Sequence, residues 1–382
     1  MTNLWNDINL RVFTSNLLGK SDELVLHGGG NTSVKSKVDG EEILFVKGSG
    51  WDLVSTQSEG FAPVKMRTLL EMAKKESLSD ADMVAGQKAA MIDKSAPNPS
   101  VEAILHALIP FKFVDHTHAD AVVTISNSKH GQEHIKNLYP NFLIVPYVMP
   151  GFILAKTIYQ MTQDFDWSKC KGIILHNHGI FTFDNDAKKS YDKMIDAVTI
   201  AEKFLEEHAK VAITSLHVNN KIDLEKLQNF LSKHKKQEVF LHLNQTPLAL
   251  FYASQKDLQH FARRGVLTPE HIIRTKRVPL IVENENLEEY IENFIKEYKT
   301  YFKEFAKEEI MLNPAPNYAI IKDFGMVSFG KTEKEASIIN DIVEHTMLAV
   351  LKADKLGGYQ GISLKDCFEM EYWELEQMKL KK

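Results

Sequence analysis

The stretch Phe113-Val114-Asp115-His116-Thr117-His118-Ala119-Asp120 sets the reading of the whole chain. Its apolar start predicts a strand, and in a strand residues two apart point to the same face, so both imidazoles can reach one ion. Imidazole is the commonest protein ligand for divalent transition metals. A further pair of candidates stands in Leu175-His176-Asn177-His178-Gly179, after the buried-looking strand Gly172 to Leu175. Three neutral nitrogen donors with a fourth position open are how proteins hold a catalytic zinc, and cobalt or manganese would accept the same ligands. Spacing does not choose between His176 and His178. Asp115 and Asp120 are candidates to orient the rings from behind.

Working outward, Leu4, Ile8, Val12 and Leu17-Leu18 recur at helical spacing over residues 1–20, with Gly19 as a stop. Glu23 to His27 reads as a short strand breaking into Gly28-Gly29-Gly30-Asn31, and Thr32 to Lys37 resumes β-type residues. Glu42 to Lys47 is a strand ending in Gly48-Ser49-Gly50. Residues 65–92 read as helical. After the loop Ser95 to Ser100, Ser100 is the expected N-cap of a helix from Val101 to about Leu108, closed by Pro110. Phe113 to Ser126 carries strand and then helix signals. Leu143 to Val148 and Phe181 to Phe183 read as strands, and Asp186 to Lys210 as a long amphipathic helix. From about residue 211 the chain turns Lys- and Glu-rich, with strands near Glu238 to Leu243 and Leu280 to Val282 and a charged helix from Asn286 to Lys307.

Length and composition narrow the class. The chain has 382 residues, with 44% hydrophobic and 25% charged residues, in keeping with a soluble globular protein of more than one domain. A net charge of −5 provides no basic footprint for nucleic acid, and Lys233 to Lys236 reads as a solvated helix end. Two cysteines, Cys170 and Cys367, exclude a disulfide scaffold. The apolar run Phe142 to Ala155 is broken by Pro146, Pro150 and Gly151 and is too short to span a bilayer. The N-terminus has neither a basic start nor a small-residue cleavage site. A cytoplasmic protein is expected.

Two further features bear on chemistry. Glu102 falls early in a helix, where a carboxylate ordinarily complements the dipole; beside a metal it could act as a general base. The loops Gly28 to Ser33 and Gly48-Ser49-Gly50 can offer N–H and hydroxyl donors to an anion. A dinucleotide fingerprint is rejected, because the sixth position is Ser33 and β-type residues follow where a helix should start. There is also an internal echo. Ile173 to Phe183 aligns with Ala319 to Phe329 at a constant offset of 146 residues, with Ile174/Ile320, Gly179/Gly325, Phe183/Phe329 and Lys188/Lys334 identical, and Phe324 where the first copy has His178.

Taken in order, Gly30-Asn31-Thr32-Ser33-Val34-Lys35, Lys47-Gly48-Ser49-Gly50, Pro99-Ser100-Val101-Glu102, His116-Thr117-His118 and Asn177-His178-Gly179 resemble the motifs of the class II aldolase/adducin family over roughly residues 8–208. Within that family the chain is most similar to the aldolase half of bifunctional rhamnulose-phosphate aldolase/short-chain dehydrogenase proteins. Leu26 to Lys35, Ser95 to Glu102, Asp115 to Asp120, Arg274-Thr275-Lys276 and Gly357-Gly358-Tyr359-Gln360 carry that likeness. A free-standing aldolase half is therefore expected.

The resemblance implies a three-layer α/β/α fold around a mostly antiparallel sheet in residues 1–212; the internal echo makes the second lobe, residues 213–382, a candidate degenerate repeat without metal ligands, the alternative being that any strand-turn-strand-helix unit looks alike. The resemblance also implies that His116, His118 and His178 bind Zn2+, with Co2+ or Mn2+ as substitutes. It implies further that the ion polarises a ketose 1-phosphate and stabilises an enediolate, and that Glu102 carries the proton. Tyr147 would protonate the aldehyde oxygen. Asn31, Thr32, Ser33, Gly48, Ser49, Gly50 and Ser100 would hold the phosphate, although Ser100-Val101 stands where the family often has two serines. The expected activity is cleavage of a rhamnulose or fuculose 1-phosphate type sugar to dihydroxyacetone phosphate and lactaldehyde, in a homo-oligomer with no nucleic-acid or membrane partner. The alternatives are an epimerase or dehydratase on the same site, or a non-catalytic adducin-like binding protein.

Overall fold

Apolar and β-branched residues fill seven extended stretches of the first part of the chain: β1 (Asn31–Val38), β2 (Glu41–Lys47), β3 (Phe61–Lys65), β4 (Phe113–Thr117), β5 (Phe142–Val145), β6 (Gly172–Leu175) and β7 (Gly179–Asp184). They hydrogen-bond into one sheet of order β3-β2-β1-β4-β7-β6-β5. Every neighbouring pair is antiparallel except β5 and β6. The computed structural model describes residues 6–214 and 216–380, so Leu4 lies outside the described residues.

The two faces of this sheet are chemically different. Alternation along β1 and β4 puts Val114 on one face, where it packs with Leu105, Leu154, Ile158, Phe181 and Phe183. The helices Ala103–Leu108 and Phe152–Met161 supply Leu105, Leu154 and Ile158 to this apolar layer. Thr32, Asp115 and Thr117 fall on the other face. There they meet polar groups of the helices Asp7–Gly19 and Ala187–His208: Thr32 Oγ1 lies 2.8 Å from Ser15 Oγ, Asp115 takes Arg11 and Ser190, and Thr117 Oγ1 donates to Met194 Sδ. The result is a helix–sheet–helix arrangement around a mostly antiparallel sheet.

Several local expectations are corrected. Glu23 to His27 is not a strand. Leu24 and Val25 are buried in a turn closed by their N–H groups on Ser21 O, and His27, Gly28 and Gly30 adopt positive φ, which no strand tolerates. β3 is hidden in the sequence because Pro63 sits inside it, and proline is tolerated on an edge strand. Residues 65–92 form two helices, Met66–Lys74 and Asp80–Ala89, the second capped by Ser79 Oγ accepting from Asp82 N at 3.0 Å. The helix expected from Val101 starts at Ala103, with Ser100 Oγ accepting from Glu102 N instead.

By contact, the chain divides into two compact units. The first runs to Ser126 and resumes from Gln132 to Phe204; the second takes Asn127–Gly131 and the chain from Leu205 onward. Nothing in the sequence pattern marks Asn127–Gly131 as part of the second unit. There Lys129 N donates to Gly358 O, and Asn127 Nδ2 donates to Leu267 O and Tyr359 Oη.

The second unit has its own sheet of β8 (Phe240–Asn244), β9 (Leu280–Val282), β10 (Tyr318–Ile321) and β11 (Gly325–Gly330), in the order β8-β11-β10-β9. Its pairings run antiparallel, antiparallel, parallel, as they do along β4-β7-β6-β5. Lys235 is not solvated as the sequence suggests. Its ammonium donates to Asn317 Oδ1 at 2.6 Å, and burial pushes its pKa down to about 7. Among the described residues no helix is long and apolar enough to cross a membrane.

Candidate active site

The register of the first sheet assembles the site. β4 runs antiparallel to β1 with Asn31 opposite His116, and antiparallel to β7 with His116 opposite Phe181. His118 follows β4 directly, and His178 sits in the turn between β6 and β7, where Asn177 adopts φ 60°. Two glycines make this approach possible. A Cβ on Gly179 would collide with Thr117 O and lie 3.0 Å from His116 Cε1 and from His118 Cδ2. Gly30, at φ +62°, would place one 2.6 Å from His116 O.

Ligand nitrogens of His116, His118 and His178 lie within 4.8 Å of one another, the one such group of three His, Cys, Asp or Glu among the described residues. His116 Nε2 and His118 Nε2 face each other at 3.0 Å. His116 Nδ1 donates to Ile180 O at 3.0 Å, which sets its tautomer and leaves Nε2 as the ligand atom. Phe181 stacks on His116 with centroids 4.0 Å apart. The donor set fits a divalent transition ion: three buried or half-buried imidazoles converge, and one has its other nitrogen held by a carbonyl.

Of the two histidines that spacing could not separate, His178 joins the group and His176 does not. Burial lowers the pKa of His176, whose Nδ1 is buried without a hydrogen-bond partner. Asp115 does not orient the rings. Adjacent strand residues face opposite ways, and Asp115 turns to Arg11 and Ser190.

Glu102 completes the constellation. Its carboxylate is 6% exposed, with Oε2 3.4 Å from His116 Nε2 and Oε1 3.8 Å from His178 Nε2. Asn31 Nδ2 donates to Oε2 at 2.6 Å, while Oε1 is buried without a hydrogen-bond partner. Thr32 and Ser33 are fully buried, their hydroxyls engaged by Ser15 and His106.

The loop Gly48-Ser49-Gly50 is tied to the loop before Glu102: Gly48 bridges Pro99, Ser49 N donates to Asn98 O, and Ser100 N donates to Lys47 O. Ser49 and Gly50 are exposed, and Ser100 and Tyr147 are half-buried, Tyr147 in the loop after β5.

Two residues are given no role of their own by the sequence. Lys47 is buried at the end of β2, and its ammonium donates to Trp51 O at 2.6 Å. Burial pushes its pKa down to about 8, with the charges of Asp52 and Glu102 opposing the shift. A lysine closing the apolar run Ile43 to Val46 is the available signal. His106 is fully buried and meets both Asn31 and Ser33. Burial, and then the neighbouring charges of His116, Lys35 and Arg11, hold its pKa well below the ordinary histidine range. Its place four residues after Glu102, on the same helix face, is the signal there.

Two family models match the chain. The Class II Aldolase and Adducin N-terminal domain family matches residues 12–205, and the family described as Aldolase class II, second domain, matches residues 219–380. A Bacillus subtilis (strain 168) protein named Uncharacterized oxidoreductase YuxG is 27% identical across 97% of this chain, which spans only 57% of that protein's length. The N-terminal class II aldolase domain of a conserved Thermoplasma acidophilum protein is 39% identical, covering 54% of this chain and 99% of its own, with a TM-score of 0.49. An L-fuculose-1-phosphate aldolase from Thermus thermophilus is 13% identical, covering 52% of this chain and 95% of its own, with a TM-score of 0.35. With one family spanning half of the chain and its second-domain counterpart most of the rest, the protein belongs to the class II aldolase and adducin family.

Proposed function

We propose that the chain is a metal-dependent aldolase that cleaves a ketose 1-phosphate of the rhamnulose or fuculose type to dihydroxyacetone phosphate and lactaldehyde. One observation carries this reading. The buried carboxylate of Glu102 stands 3.4 and 3.8 Å from two of three converging imidazoles, with one oxygen left without a hydrogen-bond partner. A non-catalytic binding protein has no need for such a group.

His116, His118 and His178 would hold the ion, most simply zinc. Bound there, a divalent ion supplies Lewis-acid polarisation of the substrate's carbonyl oxygen. Glu102 moves the proton at the carbon next to that carbonyl, through Oε1, while Asn31 holds Oε2. Tyr147 is assigned to the aldehyde oxygen of the departing fragment, in a homo-oligomer. The phosphate is assigned to the paired loops, where Ser49, Gly50 and Ser100 are accessible and Lys47 brings a positive charge. Asn31, Thr32, Ser33 and Gly48 shape that end through the bonds already described.

The word oxidoreductase belongs to the longer relative. In this chain Gly28 to Ser33 leads into β1 and not into a helix, so it does not form the dinucleotide turn.

Residues 1–212 are proposed as the catalytic domain and residues 213–382 as its degenerate copy. Corresponding hydrogen bonds support the copy. Thr182 Oγ1 donates to Ser190 O as Ser328 Oγ does to Ala336 O, and His176 N donates to Val145 O as Lys322 N does to Val282 O. By register and turn, Leu243, Gln245 and Phe324 take the places of His116, His118 and His178.

The test is a panel of ketose 1-phosphates with the zinc-loaded protein. Release of two carbon fragments is expected. A single rearranged or dehydrated product would make it an epimerase or dehydratase, and no turnover on the panel would overturn the aldolase reading.

A further inference from the structure

β1 grips the segment that carries Glu102 at three successive points. Residues 31, 33 and 35 share one face of the strand. Asn31 meets Glu102, Ser33 meets His106, and the Lys35 ammonium donates to Ile109 O and Phe111 O. Two strand residues advance about 6.6 Å and four helical residues about 6 Å, so strand and helix stay in step along this face.

The bonds between Ser33, His106, Asn31 and Glu102 have a forced direction. Asn31 Nδ2 faces the carboxylate Oε2 at 2.6 Å, which fixes the amide with Oδ1 toward His106 Nε2. An amide oxygen only accepts, so Nε2 carries the ring proton. Nδ1, 2.8 Å from Ser33 Oγ, is then the acceptor of the Ser33 hydroxyl. Donation therefore runs one way, from Ser33 through His106 and Asn31 to Glu102. The His106 ring is also held edge-on by Phe181, centroids 5.4 Å apart, and Phe181 is the ring stacked on His116.

We propose that His106 is a positioning residue for the lyase reaction: by donating to Asn31 it holds the amide that anchors Glu102 Oε2, and so keeps Oε1 aimed at the site. This rests on the reading of Glu102 as the proton carrier. Ser33 is the second member of the device, because its hydroxyl donates to Nδ1 and so supports the tautomer that Asn31 requires.

The test compares wild type, E102Q, H106F, H106Q and S33A as zinc-loaded full-length protein, with zinc content, kcat and KM for ketose 1-phosphate cleavage. H106F keeps a ring against Phe181 but has no donor. It is expected to retain zinc and KM while kcat falls about tenfold or more, a loss in keeping with mispositioned catalytic groups. H106Q, whose amide can donate to Asn31, is expected to recover most of that loss, and S33A to lose kcat. Wild-type kcat in H106F, or equal losses in H106F and H106Q, would overturn the positioning role. Should H106F fail to fold, unchanged kcat in S33A would overturn it. Wild-type turnover in E102Q would instead remove the reading of Glu102 on which the proposal stands.

Discussion

At the scale of the residue, the two carboxylate oxygens of Glu102 have different jobs: Oε2 is held by Asn31, and Oε1 faces His178 without a hydrogen-bond partner. Glu102→Gln keeps the shape and removes the proposed base. Steady-state kinetics should show kcat lower by about 10²–10⁴-fold, with zinc content unchanged by elemental analysis. Lys47 makes a second prediction. Its pKa of about 8 means that the ammonium loses its proton as pH rises through that value. KM for a phosphorylated sugar should therefore rise above about pH 8, and in Lys47→Met it should be high and flat across the same range. The convergence of His116 and His118 was legible in sequence because a strand puts i and i+2 on one face. His106 and Lys47 were not, because their roles depend on β1 and the Pro97–Ser100 loop, which lie far away in sequence.

At the scale of the element, β4 carries site chemistry on one face and a structural ion pair on the other. The Arg11 guanidinium is fully buried and donates to Asp115, Thr14, Ser15, Ser33 O and Val114 O, tying the first helix to β1 and β4. Arg11→Met would leave Asp115 charged, buried and held only by Ser190. Denaturant unfolding should show a loss of about 3–5 kcal/mol, because removing one partner strands the other charge. A loss below about 1 kcal/mol would mean that the pair is not needed for the fold. β2, β4, β6 and the long helix were legible from the residue pattern, whereas β3 was hidden by Pro63. The buried arginine was not legible either, since nothing in a helical repeat distinguishes a solvated Arg11 from one pointing at a sheet. Glu23 to His27 misled for a related reason: its Leu24 and Val25 are buried by a turn and not by strand pairing.

At the scale of the whole molecule, two units with the same run of strand pairings differ in what they hold. The first gathers three imidazoles and a carboxylate. Among the described residues the second gathers no such group, and Phe324 fills the turn that corresponds to His178. The echo at 146 residues was visible in sequence for β10 and β11, whereas β8 and β9 became recognisable as counterparts only through their pairing. The relative spans considerably more than this chain, so what lies beyond the matched region in that protein says nothing about the chemistry at Glu102. The measurement that bears most directly on the central claim is zinc per chain, by elemental analysis of protein purified without an affinity tag, for wild type and His116→Ala. About one zinc per chain in the wild type and close to none in a folded His116→Ala variant is the predicted result. A wild type that takes up no metal after incubation with zinc, or a variant that keeps it all, would contradict the site.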